Sequence, residues 1–299
     1  MKSILDHQDE LKAMPEFQLI EKIRHFSLSL EIFNGNFHDL NEFINTHNDP
    51  IKSINLRGVN NREILFAFQR QVIRLLHNYI SSAISLIDHT RVHYKDLYEK
   101  NDKFPEYQNE IDNKFVNNEL ASFIKGLRHY SIHYRTPGVY TSTSYTMNSL
   151  TVSLRLRNKD LLTFTGWSAP ARKFIDASIA DIDLGEVINS YHLLINDFYQ
   201  WFQNRQLQIH SSEILIVNKK KDEIAKISIP HILDAQLSLP NINIEQFEAA
   251  LRFFFHTNDL EKLSNFNIQE RCIKIIQMLE SRVVLEQSIK TKIGTLYKI

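Results

Sequence analysis

Glycine and proline are scarce in this chain, with seven of each among 299 residues. These residue types form many tight turns and end many helices. A chain with so few of them favours long helices over many short strands. With 43% hydrophobic side chains, it can bury a full core in one large domain or two unequal ones. We therefore predict a mainly α fold.

Apolar side chains recur at helical spacing over long stretches. Steps of three, four or seven residues run from about residue 61 to 99 and predict one long helix or two nearly collinear ones. A helix at 15–34 and a shorter one at 37–46 are predicted before it. Asp183 followed by Glu186 indicates a further helix start. That helix has a broad aromatic face, which we expect to pack against the 61–99 helix.

A change of period predicts a small β insert at about residues 139–164. Apolar and polar side chains alternate over 150–156, which is the repeat of a half-buried strand. The turn residues 158–160 then lead into another apolar run at 161–164. These features predict an antiparallel hairpin or three-stranded sheet between helices.

The last third of the chain has weaker signals. Residues 219–223 read KKKDE, a charge cluster typical of a solvated loop. Amphipathic helices are predicted at 245–255 and 268–284, as a C-terminal helical extension. The expected domains are N-terminal helices that pack on the core (1–58), the core with the β insert (59–210) and a C-terminal helical subdomain (211–299).

Composition limits the expected partners and location. Lys+Arg and Asp+Glu both number 35, so RNA would have to bind through a local basic patch and not through a global field. The single cysteine, Cys272, cannot form a disulfide within the chain. The sequence has no apolar run of about 18 residues and no signal-peptide pattern. We therefore expect a cytoplasmic protein with no membrane partner.

Residues 127–135 read LRHYSIHYR and place Arg128 five positions before His133. An arginine is always charged, and a histidine titrates near neutrality. Together they supply an anion clamp and a proton carrier, which metal-free cleavage of a phosphodiester needs. Arg128 and His133 are therefore the candidate catalytic residues, and an ordinary basic helix face is the alternative.

Similar spacing occurs twice more in the chain. Arg70 and His77 lie inside the long apolar helix, where a solvated or bundle-edge role is the better interpretation. Arg205 and His210 lie at a frayed helix end. The pair at Arg128 is favoured because it has a polar follower, an outward-facing position and a turn just after it.

The predicted motif helix has two distinct faces at about 100° per residue. Arg128, His129 and His133 fall opposite an apolar stripe. The stripe comprises Val116, Leu120, Phe123, Leu127, Tyr130 and Tyr134. The small residues Ala121, Ser122 and Gly126 on the outward face would allow a second helix to approach closely. We therefore expect a homodimer through this helix, with the catalytic pair in a cleft between subunits.

A metal site in the same segment is disfavoured. His129 and His133 are four residues apart and would lie one above the other. A catalytic zinc usually has three protein ligands, and Tyr130 stands where the His-Glu-x-x-His pattern has its glutamate. We expect neither a metal nor another cofactor.

These residues resemble the HEPN superfamily, whose helical-bundle ribonucleases carry an Arg-x4-6-His motif with a polar residue after the arginine. Arg128, His129 and His133 match that motif. The resemblance covers at most about residues 60–210. It implies a HEPN-like helical bundle in which two copies of the motif meet at a homodimer interface and cut RNA without metal. His129 and Tyr134 are the expected supporting residues.

The leading hypothesis is a HEPN-like endoribonuclease that acts as a toxin or in defence against phage. His133 would exchange protons with the ribose 2′-hydroxyl or the leaving 5′-oxygen, while Arg128 neutralises charge on the phosphorane. Lys125 and Arg135 are expected to bind RNA, and an antitoxin or regulatory protein is an expected partner. The alternative is a non-catalytic helical interaction or regulatory subunit of a defence or toxin-antitoxin complex.

Overall fold

The computed structural model describes residues 3–145 and 150–299. As predicted, the chain is mainly helical with one small antiparallel sheet. Within the described ranges, no helix is both long enough and apolar enough to cross a membrane. The chain divides into two compact units, a larger one of residues 22–210 and a terminal one that joins residues 1–21 with 211–299.

The helices follow one another with few long connections. Up to His210 they are α1 (Ile4–Ala13), α2 (Pro15–Asn48), α3 (Pro50–Leu56), α4 (Arg62–Leu97), α5 (Tyr107–Phe115), α6 (Glu119–His133), α7 (Asn158–Leu161), α8 (Ala169–Ala177) and α9 (Leu184–Ile209). Beyond it they are α10 (Ser211–Leu237), α11 (Ile244–Ala250), α12 (Thr257–Glu261), α13 (Ile268–Glu280) and α14 (Gln287–Leu296). Short 3-10 turns occupy Val59–Asn61, Leu251–Phe253 and Lys262–Asn265.

Two long helices, α4 and α2, can be compared with the helix boundaries predicted from the sequence. The 61–99 periodicity is confirmed as one helix, α4. The predicted break between 34 and 37 is wrong, because α2 continues through Gly35. Phe33, Phe37 and Leu40 are buried on one face of α2, and this continuous packing outweighs the cost of about 1 kcal/mol for a glycine inside a helix.

The sheet has the order β1-β2-β3, with β1 (Val139–Tyr145), β2 (Leu150–Leu156) and β3 (Ile182–Asp183) all antiparallel. The predicted hairpin is present, but the third strand does not lie at 161–164. The chain after β2 turns instead into α7. The Asn158 side-chain amide there donates to the carbonyl oxygens of Ile175, Ser178 and Ala180 at 3.2, 2.9 and 3.2 Å. These hydrogen bonds hold the end of α8 close to the end of β2. The free edge of β2 pairs with β3.

The core of the larger unit is rich in aromatic side chains. Asp183 caps α9, accepting a hydrogen bond from the Glu186 backbone at 3.1 Å. As predicted, α9 contributes its aromatic face to the core that α4 shares, and the buried Tyr79 hydroxyl donates to the Ile188 carbonyl at 3.2 Å. Residues from α2 belong to the same core.

The terminal unit contains a helix that the sequence did not predict. Residues 219–223 do not form a loop but lie inside α10. Val217 and Ile224 are buried seven residues apart on one side of α10, so the charged residues between them occupy its other sides. Lys220 forms an ion pair with Glu10 of α1 at 3.1 Å. A separate apolar core contains Leu233, Phe247, Ile275, Ile293 and Tyr297.

Candidate functional site

Helix α6 carries the candidate motif. It begins where the Asn118 side chain accepts a hydrogen bond from the Ala121 backbone at 2.9 Å. It ends at His133, and it could not extend far beyond this residue because Thr136, which precedes Pro137, disfavours helical backbone. The helix packs against α4, α8 and α9, so three elements of the larger unit fix its orientation.

The predicted apolar stripe holds only at the middle of α6. Phe123, Leu127 and Tyr130 are fully buried, whereas Val116 and Tyr134 at its two ends are 53% and 47% exposed. Ile124 is also fully buried, although it was not assigned to the stripe. The buried side is therefore wider than predicted because α4 and α8 cover α6 from two directions.

The small-residue face is partly occupied by the chain itself. A Cβ atom at Gly126 would lie 2.6 Å from Cε3 of Trp167, and Ala171 of α8 is the next neighbour. The indole nitrogen of Trp167 donates to the Leu161 carbonyl at 2.8 Å, and its ring stacks on Phe123. Gly126 therefore admits an aromatic side chain of the same chain, and the expectation that it receives a partner helix is wrong.

Arg128 is a half-buried cation. Its Nε atom is buried and has no hydrogen-bond partner among the described residues. The neighbouring residues show which flank it occupies, since Ser131 and Lys125 border cavities that α4 also lines. At about 100° per residue, Arg128 lies between these two positions. Its side chain therefore starts on the α4-facing flank, where burial without a partner is unfavourable.

His129 and His133 are exposed and lie together. Their ring centroids are 4.6 Å apart, and the His129 ring is 5.5 Å from that of Phe164. Five residues of helix separate Arg128 from His133 by about 140°. Among the described residues, His133 therefore contacts His129, and no contact links it to Arg128. The two candidate catalytic groups therefore occupy different flanks of α6, and Arg128, which was expected on the outward face with His133, is half-buried beside α4.

Arg135 and Tyr134 contact the segment that follows β2. The Arg135 guanidinium donates to the Tyr130 hydroxyl at 2.7 Å, the Asp160 carbonyl at 2.8 Å and Oγ1 of Thr163 at 2.9 Å. It also lies 5.2 Å from the centre of the Tyr134 ring. These contacts give Arg135 a structural role at the end of α6, and RNA binding by Arg135 stays a prediction.

Lys125 is exposed at the border of a cavity of about 460 Å³ between α4, α5, α6 and α9. Its walls include Tyr107, Phe198 and Tyr199, and Arg91 is a second cation on its lining. Burial raises the pKa of Tyr107 to about 12, so its phenol is neutral at physiological pH. This cavity combines aromatic walls with two cationic groups.

The two other arginine–histidine pairs have different environments. Arg205 forms an ion pair with Glu106 at 2.9 Å, and the buried His210 contacts the Tyr98 hydroxyl through Nε2 at 3.0 Å. Arg70 and His77 are exposed on one face of α4 and border a cavity of about 270 Å³. The apolar surroundings of Arg70 and His77 in the sequence favour a solvated or bundle-edge role, whereas the spacing of Arg70, Arg74 and His77 also predicts a common helical face.

In the part of the chain that the structure describes, no cluster of three or more His, Cys, Asp or Glu side chains is arranged to hold a metal ion. His129 and His133 therefore have no third ligand among those residues. Comparison with protein-family models, with curated proteins and with solved structures found no match for this chain.

Proposed function

We propose that this chain is a metal-independent endoribonuclease of the HEPN type, acting as a toxin or in defence against phage. The observation that carries the proposal is the state of Arg128, a half-buried cation whose Nε has no partner among the described residues. A buried guanidinium N–H without an acceptor is unfavourable, and a bound anion would supply that acceptor. A phosphodiester is such an anion, and arginine binds phosphate oxygens in bidentate geometry.

The exposed histidines supply the proton chemistry of the proposal. His133 removes the proton of the ribose 2′-hydroxyl, and the resulting 2′-oxygen attacks the adjacent phosphorus. Arg128 neutralises the charge that develops on the phosphorane. A second histidine protonates the leaving 5′-oxygen, which yields a 2′,3′-cyclic phosphate and a free 5′-hydroxyl. His129, whose ring centre is 4.6 Å from that of His133, would orient the phosphate.

A homodimer through α6 is part of this proposal. Arg128 and His133 lie on different flanks of α6, so one helix alone presents them in different directions. A second copy related by a two-fold axis would offer its own histidine to the same phosphate. Ile132 supports the position of the interface, because it is 46% exposed on the outward side of α6. An antitoxin or regulatory protein would then act by covering this face.

Cleavage of single-stranded RNA in the presence of EDTA tests the proposed function. The wild-type chain should cut RNA and leave DNA of the same sequence intact. Arg128→Ala and His133→Ala should each lower the rate at least a hundredfold, since each removes a group that acts in the transition state. The matched controls are Arg252→Ala and His231→Ala, which replace exposed residues of the terminal unit.

The controls should cut RNA at the wild-type rate. Equal activity in all five proteins would assign the cleavage to a contaminant and remove the proposal. A chain with no activity that forms a stable complex with another protein would instead favour a non-catalytic regulatory subunit.

A further inference from the structure

A second basic surface lies beside α6. Arg70, Arg74 and His77 follow one another at helical spacing on α4 and border the cavity of about 270 Å³. We call this cavity the α4 cleft. Ser131, Thr136 and Pro137 complete its border from the end of α6 and the residues after it, and Ile73 also lines it. The described lining of the α4 cleft contains three cationic or titratable basic side chains and no carboxylate.

Nearby carboxylates compensate the arginines of the α4 cleft to different extents. On the same face of α4, the preceding carboxylate is Glu63, about 10 Å along the axis from Arg70. Arg74 also borders a groove with Asp39 and Glu42 of α2, so its charge is partly balanced from the other side. Arg74 also donates to the Gln71 side chain at 3.0 Å. Arg70 is therefore the cation least compensated in the α4 cleft.

The α4 cleft lies close to Arg128. Ser131 borders the cleft and stands one helical turn after Arg128, a rise of about 4.5 Å. The Ser131 hydroxyl donates to the Leu127 carbonyl at 2.7 Å, so its proton is already used. The donors left for a ligand are the guanidinium groups of Arg70 and Arg74, the His77 ring and the exposed Thr136 hydroxyl.

We propose that the α4 cleft binds the phosphate backbone of a single RNA strand next to the scissile phosphodiester. Several donors on one side of the cleft suit the oxygens of a phosphate group. Because the chain has no net charge, a polyanion must be held by a local basic patch of this kind. The inference rests on the proposed function for the identity of the strand. It assigns to Arg70 and Arg74 a positioning role, since neither is placed at the reacting atoms.

Binding of an uncleavable strand tests the α4 cleft separately from catalysis. The probe is a fluorescent single-stranded RNA with 2′-O-methyl groups, and its anisotropy is measured with the full chain between 50 and 200 mM salt. Arg70→Glu should weaken binding at least tenfold. It should also reduce the slope of log Kd against log salt by about one for each lost phosphate contact. Arg74→Gln should weaken binding by about threefold, because Arg74 is already partly compensated.

The matched control is Arg252→Glu, which makes the same change in net charge at an exposed position of the terminal unit. It should bind the probe as the wild type does. Arg70→Gln keeps the surface position and removes only the charge, so it should give an intermediate loss. Equal losses in Arg70→Glu and Arg252→Glu, or no loss in either, would overturn the proposal. Displacement of the probe by polyglutamate as readily as by unlabelled RNA would show that the cleft binds carboxylates and would also overturn it.

Cleavage and binding fail in distinguishable ways. A wild type that cuts no RNA but loses probe binding on Arg70→Glu would refute the ribonuclease and keep the phosphate cleft. Arg128-dependent cleavage with unchanged binding in Arg70→Glu would refute the cleft and keep the ribonuclease.

Discussion

Two nearby residues of α6, Gly126 and Arg128, have different environments. Gly126 is needed for packing, because Trp167 occupies the space that a Cβ atom would fill. Arg128, two residues later, has a buried Nε that the described part of the chain leaves without a partner. Gly126 is therefore explained by packing within the chain, whereas the unsatisfied Nε of Arg128 leaves room for a hydrogen-bond acceptor from a ligand.

Gly126→Ala should destabilise the chain by about 1–2 kcal/mol. The added methyl group overlaps the Trp167 ring, and the hydrogen bond to Leu161 and the stacking on Phe123 limit how far that ring can move. The cost of overpacking, about 1–3 kcal/mol, exceeds the gain of replacing a helical glycine. Urea unfolding measures the change.

Gly35→Ala is the matched control, because Gly35 also lies inside a helix but has no neighbouring atom within 4 Å of the added Cβ. It should stabilise the chain by about 0.5–1 kcal/mol. Equal effects at the two glycines would contradict the packing described for Trp167.

The elements differ in how far the sequence predicts them. The helix α4 follows from its periodicity because each buried position lies on one face of a regular helix. The break predicted near Gly35 and the loop predicted at 219–223 are wrong because burial on α2 and α10 overrides local turn and charge signals. The two-residue strand β3 depends on contacts between distant segments, which no local pattern encodes.

The same limit applies to the candidate site. The period of α6 correctly predicts that His129 and His133 are exposed. It does not reveal that Gly126 receives Trp167, because that contact joins residues 41 positions apart and depends on where α8 packs. The α4 cleft likewise depends on the antiparallel placement of α4 and α6, although its basic spacing is visible in the sequence.

Substitutions at Asn158 test the connection from β2 through α8 to β3. Replacing Asn158 with Ala removes hydrogen bonds to carbonyl groups and should cost about 1–3 kcal/mol. Asn158→Asp should cost more, because it places a carboxylate oxygen against carbonyl oxygens of Ser178 and its neighbours. Thermal unfolding of both variants gives the order, and an aspartate variant as stable as the wild type would contradict the assigned contacts.

Two histidines that stack on phenylalanines should make the larger unit sensitive to acid. His93 stacks on Phe26 with ring centroids 4.4 Å apart, and His192 stacks on Phe37 at 3.5 Å. Burial lowers the pKa of His93 to about 4 and, separately, the pKa of His192 to about 4. In the unfolded chain the pKa of each ring is about 6.5. Between these values the unfolded state binds more protons than the folded state.

The free energy of unfolding should therefore be greatest above about pH 6.5 and fall as the pH drops towards 4. Each histidine contributes roughly 1–2 kcal/mol to this loss, after allowance for its partial exposure. Urea unfolding between pH 7 and 4.5 measures it. His192→Gln, which keeps a hydrogen-bond acceptor for Asn196, should flatten the dependence. An unchanged slope would show that His192 does not cause it.

The chemical ends of the RNA products reveal how the phosphodiester is cleaved. Attack by the ribose 2′-hydroxyl predicts a 2′,3′-cyclic phosphate and a 5′-hydroxyl at each cut, formed in EDTA. A single 2′-deoxynucleotide on the 5′ side of a mapped cut should then abolish cleavage at that bond alone. Cleavage at the deoxynucleotide, or products that carry 5′-phosphates and appear only when a divalent metal is added, would rule out attack by the 2′-hydroxyl.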